Sequence, residues 1–309
     1  SVPLRWTGYT GVGFSRISVN PSLSIIYKLN YAWRFTAHAS YKERYGEMTD
    51  LYDRPYQTDY RNSVWNCGIL PVYRQQLYSV YGEYKNTARE FFATVNLTHN
   101  REWYNRIYEQ RIENGQVQRV SLPLSNHGSG YTVKSTLSKG FYDLGLKTSF
   151  LALLNISKAE QSSGGQRLPY QYRLMRLEPK VIWTPNRHWE TSYQTDIRYG
   201  GNKIGERTRL APLWNVTQQV QLSYIFSPIE ASLSVDHYHN DVNEDQSVNA
   251  VFADFSVLWK SRRWQITATA TNLFDKRTYA YTRYASLESY TSWVRIRPRE
   301  FLVAIRYRL

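Results

Sequence analysis

Phe301-Leu302-Val303-Ala304-Ile305-Arg306-Tyr307-Arg308-Leu309 is the last stretch of the chain and the one that decides its fold. Strand side chains alternate between faces, so Phe301, Val303, Ile305, Tyr307 and Leu309 share an apolar face while Arg306 and Arg308 share the other. An amphipathic strand in this place predicts a barrel being closed. The same two-residue period recurs through most of the chain, so the fold turns on which solvent the apolar face meets.

Upstream, over residues 207–226, the even positions read Leu210, Pro212, Trp214, Val216, Gln218, Val220, Leu222, Tyr224 and Phe226, against Asn215, Thr217, Gln219, Gln221 and Ser223. That is longer than the roughly five or six residues of an ordinary soluble strand. Over 188–200, Trp189, Thr191, Tyr193, Thr195, Ile197 and Tyr199 oppose His188, Glu190, Ser192, Gln194, Asp196 and Arg198, which puts every charge on one face. Residues 33–41, 91–97, 131–137, 144–156, 229–235, 251–259 and 264–270 alternate likewise. One segment breaks phase, because Leu168, Tyr170, Tyr172 and Leu174 are even whereas Leu177, Val181 and Trp183 are odd. A one-residue bulge near Met175-Arg176 is expected to restore the facing. This reading gives about thirteen strands, with residues 1–20 supplying part of another.

Composition agrees with a membrane barrel. Aromatic residues make up 16% of the 309, with 27 Tyr and 10 Trp, yet the mean hydropathy is −0.57. No run approaches the roughly 18 apolar residues of a membrane helix, which excludes a helical membrane protein. A transmembrane β-barrel reconciles both features, since only alternate residues face lipid. The connections alternate too: tight ones fall near 30–31, 85–87, 140–141, 184–186, 227–228 and 261–262, long polar ones at 46–70, 105–128, 158–166, 200–206, 240–246 and 275–298. Outer-membrane barrels have this asymmetry of short periplasmic turns and long extracellular loops. Tyr31, Trp33, Tyr84, Phe141, Trp183, Trp189, Phe226, Trp259 and Trp264 sit beside the tight turns and read as an aromatic girdle. A soluble sandwich or propeller needs neither strands this long nor one-sided loops. An unclosed sheet would leave backbone groups unpaired in hydrocarbon, so the chain is expected either to be a piece of a larger barrel or to hold one more strand.

The formal charge of +14 is dispersed rather than gathered in a basic arm, which argues against nucleic acid as a partner. Cys67 stands alone, without disulfide partner or zinc-ligand spacing. The first residues, Ser1 to Trp6, lack both an initiating Met and a signal-peptide layout, so a processed or truncated chain is expected. His237 and His239 with Asp236, Asp241, Glu244 and Asp245 form the most metal-like cluster, but no third ligand can be fixed and a solvated loop end is preferred. His38 and Ser40 share a strand face without forming a triad, and Gly11-Val12-Gly13 reads as a turn, so neither enzyme chemistry nor a cofactor is expected. Among the loop aromatics and arginines, Tyr52, Tyr56, Trp65, Tyr108, Tyr281 and Arg283 are the candidates for ligand capture, since flat rings and guanidinium groups stack on sugars or chelates and hold anions. Anchoring against lipopolysaccharide phosphates explains the same residues equally well.

Asn272-Leu273-Phe274-Asp275-Lys276, followed by Arg297-Pro298-Arg299-Glu300-Phe301, resembles the C-terminal end of TonB-dependent outer-membrane receptors. The resemblance implies a barrel of about 22 strands around a plug, of which residues 1–309 would be one incomplete barrel domain without the plug. It further implies an energy transducer engaged through a region upstream of Ser1, a possible surface lipoprotein partner, and residence in the outer membrane of a Gram-negative bacterium. Phe301, Val303, Ile305, Tyr307 and Leu309 would form the assembly signal, although a terminal Phe is more usual than Leu309. The expected function is energised uptake of a scarce solute such as a metal chelate, oligosaccharide or peptide. The rivals are a complete passive channel of about fourteen strands, which Leu4 to Thr10 would close, and a soluble β protein binding glycans or nucleic acid.

Overall fold

A computed structural model describes residues 3–7, 13–113, 116–205, 208–209, 212–243, 245–285 and 288–308. Thirteen strands follow one another in a single antiparallel meander: β1 Ser22–Lys28, β2 Trp33–Tyr45, β3 Val72–Asn86, β4 Phe91–Tyr104, β5 Asn126–Phe141, β6 Leu146–Ser163, β7 Gln166–Asn186, β8 Trp189–Ile204, β9 Leu213–Phe226, β10 Ile229–Asp241, β11 Ser247–Lys260, β12 Trp264–Thr271 and β13 Glu300–Tyr307. Pro3–Thr7 and Gly13–Ile17 make a separate hairpin. The tight connections gather at one end of the sheet and the long ones at the other, except that the long stretch expected over 158–166 is a two-residue turn at Gly164-Gly165, because β6 and β7 stay paired up to Ser163 and Gln166.

Directly opposed residues share a face, so the register assigns the faces without further assumption. One level across β4 to β9 reads Leu97, Val133, Leu154, Met175, Tyr199, Trp214. The adjacent level on the other face reads Asn96, Lys134, Leu153, Arg176, Arg198, Asn215. The apolar face is the exposed one: Val80, Leu97, Leu154 and Phe255 are 54%, 48%, 43% and 42% exposed, whereas the buried hydrophobic residues among those described are Ile107, Val120 and Leu213 with the small Ala250, Ala253 and Ala280. A water-soluble protein inverts this arrangement. The solvent of the outer face is lipid, and the fold is a transmembrane antiparallel β-barrel.

Ring contacts mark the two edges of the lipid band. Beside the tight turns, Trp33 meets Tyr84 at 4.7 Å, Trp189 meets Tyr224 at 4.6 Å and Trp264 meets Tyr307 at 4.7 Å. Towards the long loops, His99 stacks on Tyr131 at 4.3 Å and Tyr199 meets Trp214 at 4.8 Å. Along β8 the edges fall at Trp189 and Tyr199. At about 3.3 Å per residue and a tilt of about 40°, that interval gives an apolar band of about 25 Å, the height of an outer-membrane barrel's belt.

The expected bulge near Met175-Arg176 is absent. β6 and β7 stay in one register from Ser163 opposite Gln166 to Leu146 opposite Trp183, and the only shift against β8 falls between Trp183 and Asn186. The phase break has another cause. β7 is 21 residues long and runs past the hydrocarbon, where the outward positions, Arg173 at the aromatic edge and Gln171 above it, meet headgroups and water and need not be apolar. Tyr170, Tyr172 and Leu174 face the lumen there, so the apolar residues change face while the backbone does not slip.

In strand order the barrel returns from β13 to β1, yet among the described residues β13 is in register with β12 alone and β1 with β2 alone. Every residue of both strands is exposed, inward and outward positions alike. The barrel nonetheless closes there, so the seam between β13 and β1 is the least covered part of the wall. Residues 4–7 pair with 13–16 rather than with β13; residues 8–10 and Leu309 lie outside the described residues.

Candidate functional site

At the long-loop end, the inner wall carries a carboxylate surrounded by donors. Alternation turns Tyr73 and Gln75 of β3 and Asn100, Glu102 and Tyr104 of β4 inward. Glu102 Oε1 accepts from the Tyr73 hydroxyl at 3.0 Å, Gln75 Nε2 at 3.0 Å and Asn100 Nδ2 at 2.8 Å, and Oε2 accepts from the Tyr104 hydroxyl at 2.8 Å. These positions lie beyond the aromatic edge at Tyr78 and His99. Burial, with the Glu102 charge adding to it, pushes the Tyr73 phenol up to about 12. Burial and the hydrogen bond to Glu102 raise Tyr104 as well. Both phenols therefore remain protonated donors at neutral pH.

The Glu102 cluster walls a cavity of about 870 Å³ that also receives Arg106, Tyr108 and Arg119. The latter come from the loop hairpin Ile107–Glu113 with Gln116–Leu122 and the residue before it. Arg106 and Arg119 lie over the Tyr108 ring at 4.9 and 3.7 Å from its centre, and Arg106 Nη1 reaches Asp50 Oδ1 at 2.7 Å. The hairpin is tied to the wall by Glu109, which accepts from Ser162 Oγ at 2.8 Å and from Arg111 Nε at 2.9 Å. Ring faces, hydroxyls and guanidinium groups on a braced wall suit an amphipathic solute with anionic or hydroxyl groups.

A second cavity, of about 460 Å³, lies between the inner wall and the hairpin Thr278–Ala285 with Glu288–Arg295. Its wall holds Arg176 and Arg198, which both bind Asp196, at 3.0 and 2.6 Å. Ala280 and Thr282 of the hairpin are buried; inward Asn240 donates to the Ala280 carbonyl at 3.1 Å, and Tyr279 lies 5.2 Å from inward Tyr238. The 275–298 loop thus folds into the lumen rather than away from it.

The base of that loop explains the Asn272-to-Lys276 motif. Asn272 and Asp275 have φ of 50° and 51°, a conformation that Asn and Asp tolerate. Asn272 Nδ2 donates to the carbonyls of Lys276 and Arg297, at 2.9 and 2.8 Å, while its Oδ1 accepts from the Lys276 amide at 2.9 Å. Asp275 Oδ1 accepts from the Arg299 amide at 3.0 Å. One side chain therefore clasps both ends of the hairpin. Replacing Asn272 with Ala removes three hydrogen bonds at a buried position, at a cost of about 2 kcal/mol. Amide exchange across 278–295 should accelerate; exchange at the native rate would show that the clasp does not hold the hairpin.

The six capture candidates do not form one site. Tyr108 lines the first cavity and Tyr281 the second. Tyr52 and Tyr56 meet edge-on at 6.1 Å and Trp65 donates Nε1–H to the Asp53 carbonyl at 2.8 Å, so these three brace the 46–70 loop. Arg283 follows in the lumenal hairpin, with its side chain outside the described residues. Tyr73, Glu102 and Tyr104 were not among the candidates, although extending the alternation of 91–97 by a few residues would place Asn100, Glu102 and Tyr104 on the inner face. His237 and His239 both face outward on β10; His239 contacts Asn249 Oδ1 at 2.9 Å and Asp241 Oδ1 at 3.3 Å. Among the described residues no three His, Cys, Asp or Glu converge as a metal site.

No protein family matches the chain by sequence, and no curated protein does. Solved structures similar to it include the ferric yersiniabactin uptake receptor FyuA of Yersinia pestis, at 8% identity and TM-score 0.47 over 94% of this chain and 50% of that one. The translocator domain of the autotransporter NalP of Neisseria meningitidis is similar at 10% identity and TM-score 0.29, over 91% and 89%. The toluene transporter TodX of Pseudomonas putida is similar at 10% identity and TM-score 0.27, over 86% and 78%. The chain spans half the length of the yersiniabactin receptor. At these distances no ligand or activity passes from any of them to this chain.

Proposed function

We propose that the chain is part of the wall of an outer-membrane receptor for energised uptake of a scarce solute, with further strands entering between β13 and β1 and a plug filling the lumen. The observation that carries this reading is the exposure of β13 and β1: every residue of both strands is exposed, as expected of strands whose full set of neighbours includes further strands. The resemblance of the Asn272-to-Phe301 region to TonB-dependent receptors points the same way. Capture falls to the cavity between Glu102 and Tyr108, and the barrel does no covalent chemistry. The passive-channel reading is weakened because residues 4–7, its closing strand, pair elsewhere.

The test uses the full-length protein. Uptake of its solute by cells should stop when the inner-membrane energy transducer is deleted, and the intact protein should give no steady conductance in planar bilayers. A stable open channel indifferent to energisation would establish the passive alternative instead.

A further inference from the structure

We propose that the outer face of the wall carries a binding site for the phosphorylated headgroup of a membrane glycolipid, built on Arg101, Lys158, Arg173 and Lys203. The site rests on the outer-membrane placement proposed above. Register sets Arg101, Ser129, Lys158, Gln171 and Lys203 side by side on one level across β4 to β8. All five face outward, by the alternation that puts Leu97, Val133, Leu154, Met175 and Tyr199 there. The next outward level down reads His99, Tyr131, Ile156, Arg173 and Gly201. His99 is stacked there between Tyr131, at 4.3 Å, and Tyr78, at 6.4 Å. The cations therefore stand on or one step above the aromatic edge of the lipid band, where headgroups lie. A groove of about 460 Å³ runs along the upper level, with Arg101, Ser129, Lys158, Gln171 and Lys203 in its lining.

Charge pairing makes the second observation. Several basic side chains elsewhere have carboxylate partners, though not all do: Arg176 and Arg198 share Asp196, Arg106 binds Asp50, Arg111 binds Glu109 and Lys260 binds Glu230. Among the described residues none of the four outward cations has one; Arg101 donates only to His99 Nε2, at 3.3 Å. Of the carboxylates in the groove lining, Glu160 is engaged by Arg167 at 3.5 Å and Glu102 turns inward to its own donors. Four charges without carboxylate partners, on one patch at the headgroup edge of the outer wall, call for an anion supplied by the membrane, and a headgroup with more than one phosphate spans several strands at about 4.8 Å spacing.

The full-length protein in detergent micelles would be mixed with bis-phosphorylated lipid A, dephosphorylated lipid A or inorganic phosphate, and retained adducts counted by native mass spectrometry. Wild type should retain the phosphorylated lipid. Arg101→Gln/Lys158→Gln/Lys203→Gln should bind it more weakly by about fivefold per cation, on the order of a hundredfold in all, and Arg101→Lys/Lys158→Arg/Lys203→Arg should restore retention. Equal retention by the Gln variant, equal binding of dephosphorylated lipid, or displacement of the lipid by inorganic phosphate at comparable concentration would each overturn the site. Normal membrane insertion without lipid retention removes this site alone, whereas a wild-type protein that never enters membranes removes the outer-membrane reading with it.

Discussion

Val220→Arg should destabilise the barrel in lipid by about 2 to 4 kcal/mol, while Gln221→Arg should cost about 0.5 kcal/mol or less. The two residues are neighbours in β9 and differ only in the face they occupy. Val220 lies opposite Tyr193 and Val235, all outward, between the aromatic edges at Trp214 and Tyr224. A guanidinium group there sits near the bilayer midplane, where it must reach for the interface or pull water inward. Gln221 lies opposite Ser192 and Ser234 on the lumenal face, where an added cation meets water. Equilibrium unfolding of the protein reconstituted in vesicles reads the difference directly. Equal costs at both positions would mean that the apolar stripe does not contact acyl chains, and the membrane assignment would fail.

The faces were legible in the sequence because period-2 alternation is enforced wherever one side of a strand meets hydrocarbon, and β8 and β9 hold it along their length with Gln218 as the polar exception on the outer face of β9. The same rule misled above the lipid band. Once β7 leaves the hydrocarbon its outer face meets headgroups and water, the constraint lapses, and Tyr170, Tyr172 and Leu174 line the lumen, which in the sequence resembles a bulge. The site was less legible than the wall. Glu102 is recognisable as a hub only when Tyr73 and Gln75, from another strand, are placed beside it by the β3–β4 register. The folding of the 275–298 loop into the lumen depends on Asn272 reaching Lys276 and Arg297 at once, a contact across the loop that residue order alone does not disclose. Trp65 was a candidate as a flat ring in a long loop, and it braces that loop through Asp53.

Gly145→Ala should be the most damaging single-atom change in the tight-turn rim, at about 2 to 5 kcal/mol. Gly145 has a φ of 57°, a left-handed conformation that costs a residue with a Cβ about 1 to 2 kcal/mol. Its amide donates to the Tyr142 carbonyl at 3.0 Å, and its own carbonyl accepts from the Thr184 amide at 2.8 Å, which binds the β5–β6 turn to the β7–β8 turn. A Cβ at Gly145 would fall 2.1 Å from the Thr184 carbonyl oxygen and 2.9 Å from its carbon. Backbone, unlike the end of a flexible side chain, cannot rotate away, so the clash must shift one turn against the other at a further cost of about 1 to 3 kcal/mol. Gly164→Ala supplies the control, because Gly164 has the same φ of 57° and a Cβ added there would meet nothing within 4 Å; only the conformational cost of about 1 kcal/mol remains. Unfolding midpoints of the two variants in vesicles separate strain from collision. If Gly145→Ala is no more destabilised than Gly164→Ala, the two turns are not in contact, and the register that aligns the aromatic rim from Phe141 to Trp189 is not held there.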